Sequence, residues 1–266
     1  MPPKPKVKRP RPATKPSSAL VVYRKGSYWV HGKRVIGANT FLDTKVLEPI
    51  DAAAGKVTSE TTFQTGSPVV HVELEHTKEN TKLSSYQKSL DGARKGKYIH
   101  SQIEKLVKKF KQTRALSSTQ KRKGICVHPV ARAMFESLQR MSLKVVSSEV
   151  GVCSVRRGVA TEVDLVCRHT KTGRYVMVEL KTGYRDARQY SAPKYRLRFN
   201  RKVLVSEQQR HLLQLFVTTI LFNLTHRDKI VGDSILLQAP NHTSTTAYTL
   251  PEWILKLRPT LEKLLN

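Results

Sequence analysis

The residues whose types and spacing carry chemistry are Asp164, Glu179 and Lys181, set in Thr161-Glu-Val-Asp-Leu-Val-Cys167 and Tyr175-Val-Met-Val-Glu-Leu-Lys181. Between these stretches His169-Thr-Lys-Thr-Gly-Arg174 is polar and holds Gly173, which suits a hairpin turn. A four-residue loop over 170–173 pairs His169 with Arg174, and counting back sets Asp164 opposite Glu179. Opposed residues share a face, with Cβ atoms about 5 Å apart. The strand period of two adds Lys181 to that face and turns Val176, Val178 and Leu180 the other way. Facing carboxylates repel each other, and a divalent cation removes the penalty; Mg²⁺ takes one or two carboxylates with water and phosphate oxygens. A lysine beside them can orient an attacking water, favour its deprotonation and offset charge developing at phosphorus. Together with a metal this is the chemistry of phosphodiester hydrolysis. A plainer reading stays open: an Asp and a Glu-x-Lys on neighbouring strands can be solvent-facing charges. The apolar runs around them weigh against it, because buried strands carry acids reluctantly. Glu162 shares the face of Asp164 and would replace it after a register slip of two, and Glu149 on the preceding strand is a further candidate acid.

The elements that must position these groups are legible from about residue 90 onward. Ile99, Ile103, Leu106, Val107 and Phe110 fall at helical spacing, with Lys105, Lys108, Lys109 and Lys111 among them. A second amphipathic helix fits 129–142, with Pro129 in its first turn and Val130, Ala133, Met134, Leu138 and Met141 as its apolar stripe. Strands are expected over Leu143–Gly151, Gly158–Arg168 and Arg174–Lys181. A helix capped by Ser206 should run to about Asn223. Late strands at Ser234–Gln238 and Thr245–Leu250 and a closing helix over Pro251–Leu265 complete a mixed α/β domain, 90–266. Residues 19–89 hold short β-like runs, Leu20–Tyr23 and Val69–Leu74, whose role the pattern does not disclose.

Charge narrows the partner. The 266 residues carry 48 Lys and Arg against 20 acids, a net charge of +28, far beyond what solubility requires. A polyanion is implied, and nucleic acid is the obvious one. In the basic stretch 184–202, Lys194, Arg196, Arg198, Arg201 and Lys202 alternate with Tyr190, Tyr195 and Phe199, which suits a groove that tracks a phosphate backbone while bases stack. A solvated loop is the rival reading. Residues 1–18 are proline-rich, basic and free of acids: an extended tail that grips phosphates, a nuclear localisation signal, or both. Such a tail does not suit a mitochondrial presequence. No run of about 18 apolar residues exists to span a membrane. Cys126, Cys153 and Cys167 are odd in number and widely spaced, which fits a reducing compartment and neither a disulfide framework nor a zinc site.

In their order along the chain these residues resemble the PD-(D/E)XK nuclease superfamily. Asp164 followed by Glu179-Leu-Lys181 is similar to its Asp…(Asp/Glu)-x-Lys signature. Gly96-Lys-Tyr-Ile-His100 and Gln214 on the later helix are similar to the Gly-x-x-x-His and Gln motifs of the RecB-like branch, which includes Cas4-type nucleases, the mitochondrial genome maintenance exonuclease and, more distantly, viral alkaline exonucleases. The resemblance covers about residues 90–222. It implies a restriction-endonuclease-like core, a central mixed β-sheet flanked by helices. His100, Asp164, Glu179 and the Leu180 carbonyl would hold Mg²⁺ or Mn²⁺, Lys181 would be catalytic, and Gln214 would position the lysine or the DNA. Cas4-type members carry an iron–sulfur cluster on four cysteines; with three, none is expected here. The expectation is a DNA exonuclease of replication, recombination or repair, acting on single strands or free ends in a nucleus, whether of a cell or of one infected by a virus encoding it. Two rivals remain: a non-catalytic DNA-binding or packaging protein on a nuclease-like scaffold, and a structure-specific endonuclease such as a junction resolvase.

Overall fold

The computed structural model describes residues 21–50, 68–73, 85–112, 128–182, 190–239 and 244–266. The basic tail, Cys126 and the side chain of Phe110 lie outside them. The architecture is α/β: a mixed sheet with helices on both faces.

The centre of the sheet is an antiparallel meander of β6 (Leu143–Ser154), β7 (Val159–His169) and β8 (Tyr175–Thr182). The β7–β8 turn is the four-residue loop read from the sequence: the His169 N–H donates to the Arg174 carbonyl at 2.9 Å, and Gly173 adopts φ +72°. Leu165 pairs with Val178 and Arg168 with Tyr175. Continued by one residue, that register brings Asp164 level with Glu179. The chain then crosses through α4 (Glu207–Thr225) to β11 (Val231–Ala239), parallel to β8, and returns in β12 (Ser244–Thr249), with β5 (Pro68–Glu73) at the edge. A crossover helix is what two parallel neighbours require.

Two apolar clusters explain the layering. On one face, α2 (Ser85–Gln112) and α3 (Pro129–Arg140) set Ile99, Ile103, Met134 and Leu138 against Leu165, Cys167, Val178 and Leu180. On the other, Leu212, Phe216 and Ile220 of α4 pack with Val166, Met177 and Leu236. Helix α4 is buried nearly all round, so its polar residues need partners. Thr218 and Thr219 donate back to the Gln214 and Leu215 carbonyls, and Tyr190 bonds His211 at 2.8 Å. Its N-terminus is a capping box, Ser206 accepting from the Gln209 N–H while the Gln209 side chain accepts from the Ser206 N–H. The closing segment is two short helices, α5 (Glu252–Leu255) and α6 (Arg258–Leu265), rather than one.

Two of the described strands before residue 90 pair with the central sheet, Lys33–Gly37 with β7 and β5 with β12. Strands β1 (Val21–Arg24), β2 (Ser27–Val30) and β3 (Lys33–Gly37) form a meander whose two-residue turns, Lys25-Gly26 and His31-Gly32, both have positive φ, as tight hairpins demand. A short helix, α1 (Ala38–Phe41), then a π-helical turn (Leu42–Val46) and β4 (Leu47–Pro49) follow, and Phe41, Leu42, Val46 and Leu47 are all core residues. The described part of the basic stretch, from residue 190 on, is also more regular than its composition indicates. It forms β9 (Pro193–Leu197) and β10 (Asn200–Ser206), which join β4 in a small second sheet.

Candidate active site

The site lies where one strand edge forks. On a single edge β7 pairs with β3 through Val159 and Ala160, and with β8 from Leu165 to Arg168. The residues between, 161–164, lack a strand neighbour on that edge, and the gap opens into a cleft of about 720 Å³. Asp164, Glu179, Lys181, His100 and Gln214 all line it. Where the ladder ends, the Asp164 side chain continues it: its Oδ2 accepts from the Leu180 N–H at 2.8 Å.

Glu179 and Lys181 alternate with Val178 and Leu180, which face the α2–α3 cluster. Lys181 Nζ donates to Glu179 Oε1 at 2.7 Å and lies 3.4 Å from Gln214 Oε1. Gln214 Nε2 donates to the same Glu179 oxygen at 2.9 Å. The amide of α4 therefore bridges the acid and the amine and holds both in one orientation. Helix α2 brings His100 from the opposite layer, its Nδ1 3.6 Å from Asp164 Oδ1, and the Leu180 carbonyl faces the same ring. Gly96 permits that approach, since a Cβ there would sit 3.3 Å from Thr182 Oγ1 at the end of β8.

Burial dominates the electrostatics. It raises the Asp164 carboxyl to about 6 against the pull of Lys181. Glu179 is raised as well, by burial first and by Asp164 second, with Lys181 opposing. His100 is lowered by burial, so its ring is neutral near pH 7 and able to act as a ligand. One buried and one half-buried acid, a neutral imidazole and a backbone carbonyl are donors of the kind Mg²⁺ or Mn²⁺ accepts. The fit is through two carboxylates rather than a preassembled cage: among the described residues no three His, Cys, Asp or Glu side chains are gathered at ligating distances.

The other residues singled out by sequence are arranged differently. Glu162 is half-buried on the cleft wall, while Glu149 is exposed. Tyr190 is buried against His211, and the face of Tyr195 is covered by the Arg210 guanidinium at 5.7 Å, its hydroxyl bonded to Glu207. The Tyr190 ring is closed to a stacking base, and one face of Tyr195 is taken. Arg196, Arg198 and Arg201 share one acid, Glu48, at 3.9, 3.9 and 3.1 Å, which offsets part of their charge. Lys194, Phe199 and Lys202 are exposed. Sequence reasoning missed the opposite wall of the cleft, where Tyr23, Tyr28, Arg34, Asn39 and Thr40 contribute. An acid-free hairpin with four cations and three aromatic rings in residues 21–37 was the available signal.

Cys153 and Cys167 are buried free thiols, and among the described residues no helix is long and apolar enough to cross a membrane. No family model matches the chain, and no curated protein is significantly similar to it.

Proposed function

We propose that this chain is a metal-dependent deoxyribonuclease with a PD-(D/E)XK core, hydrolysing phosphodiester bonds from DNA ends. The observation that carries the reading is the convergence of Asp164, Glu179 and Lys181 in one cleft, with Gln214 tying the acid to the amine. The order helix, three-stranded antiparallel meander, crossover helix, parallel strand is consistent with that core.

Asp164, Glu179, His100 and the Leu180 carbonyl would hold the metal, which when bound supplies Lewis acidity to a phosphate oxygen and lowers the pKa of water. The residues themselves do the rest. Lys181 presents an ammonium where charge develops at phosphorus, and Gln214 fixes its orientation, so little reorganisation is left for the reaction. Burial of Glu179 limits screening of that field by bulk water.

The test is purified full-length protein on end-labelled linear and covalently closed circular DNA, with Mg²⁺ and with EDTA. Progressive loss of the linear DNA in Mg²⁺, no loss in EDTA and an intact circle are expected. Cutting of the circle would replace the exonuclease by an endonuclease, and salt-sensitive binding with no cutting under any metal would favour a packaging role.

A further inference from the structure

We propose that the β1–β3 meander is a grip for a single DNA strand entering the cleft, with Arg34 holding a phosphate and Tyr23 stacking a base. The inference rests on the nuclease reading of Asp164, Glu179 and Lys181, and names how the substrate reaches them.

Four observations carry it. The first is continuity: Tyr23, Tyr28 and Arg34 line the same cleft as Lys181 and Gln214. Strand β3 meets β7 only at Ile36 and Gly37, so the rest of that edge has no partner strand and borders the opening. The second is charge. Residues 21–37 contain Arg24, Lys25, Lys33 and Arg34 and no acid. Arg34 is exposed and has no ion-pair partner among the described residues, unlike the arginines gathered by Glu48 or Arg210 on Asp43.

The third observation is aromatic surface. Tyr23 is 47% exposed and its ring lies 4.8 Å from that of Tyr28, tilted 47° to it, so an aromatic ring with open surface lines the cleft. Aromatic rings beside cations are what single strands bind, since every base offers a π-face. The fourth is size and path. A cleft of about 720 Å³ is of small-molecule dimensions. Bases paired and stacked in a duplex offer no free face to Tyr23, whereas those of a single strand do. A second hollow, lined by Arg24, Lys25, Ser27, Trp29 and Arg34, adjoins the first at Ser27 and Arg34. The strand would therefore run from the catalytic lysine past Arg34 onto the outer face of the hairpin. There Arg24 lies over Trp29 at 4.9 Å.

The test measures binding without cleavage: fluorescence anisotropy of labelled oligothymidylate and of a blunt duplex, in EDTA, with the full chain. Tyr23→Ala and Arg34→Ala are each expected to weaken oligothymidylate binding about five- to tenfold, with Tyr23→Phe restoring it. Duplex binding should change less than about twofold, as should both affinities in Lys171→Ala, an exposed charge in the β7–β8 turn. Both positions are exposed, so the variants should keep the wild-type melting temperature, which is checked alongside. Unchanged oligothymidylate affinity in both variants would overturn the grip, as would equal losses on duplex and single strand. Because no cutting is needed, the two readings fail separately. A protein that cuts but ignores Tyr23 and Arg34 refutes the grip, and one that loses its grip in these variants yet never cuts refutes the nuclease.

Discussion

Burial raises the Asp164 carboxyl to about 6, from an ordinary value of 3.8. Between those values the folded protein holds a proton that the unfolded chain has released. Stability therefore falls as pH rises through that window, and the penalty is complete above it. Asp164→Asn keeps an oxygen for the Leu180 N–H and removes the charge. Without metal it should stabilise the protein at pH 7.5, by about 2 kcal/mol after allowing for the partial exposure of the side chain. The gain should vanish below pH 4. Urea midpoints of both proteins across pH measure this, and a pH-independent difference would contradict it. The β7–β8 register, which brings Asp164 level with Glu179 just beyond the end of the ladder, was legible in sequence because a polar loop with one glycine leaves few registers, and the apolar alternation on either side selects among them. The engagement of Glu179 Oε1 by both Lys181 and Gln214 was not legible. It depends on the rotation of α4 over the sheet, which packing with β11 and the π-helical turn decides.

Among the elements, α4 connects stability to the site. Its capping box satisfies N–H groups that would otherwise be orphaned, and Gln214 lies two turns further on. Ser206→Ala should cost about 1 kcal/mol, read as a shift in urea midpoint. The rate of DNA cutting at 25 °C should change less than about twofold, because the rest of the helix is anchored in the core. A large fall in rate without a fall in stability would mean that the cap contacts the reaction. Helices α2 and α3 and strands β6 to β8 were readable because each repeats an apolar period over two or more turns or several alternations, and α4 because a long apolar run follows a serine cap. Strands β9 and β10 were hidden: Leu197, Val203 and Val205 make the core contacts, but charged neighbours dilute their alternation. Of strands β1 to β3, only β1 was read, as part of the β-like run Leu20–Tyr23. Their meeting with β7, more than a hundred residues away, has no local signature.

At the scale of the whole molecule, two properties separate. On the proposed reading, general attraction for DNA comes from the excess of 48 Lys and Arg over 20 acids, and removing one exposed charge away from the cleft, such as Lys171, scarcely alters it. On the same reading, cutting depends on one amine held between an acid and an amide on the wall of one cleft. Lys181→Ala, compared with wild type on the same end-labelled linear DNA in Mg²⁺, measures both at once when anisotropy is recorded with the rate. The account predicts a cutting rate reduced at least about 100-fold with DNA affinity changed less than about twofold. Cutting by Lys181→Ala at close to the wild-type rate would contradict it.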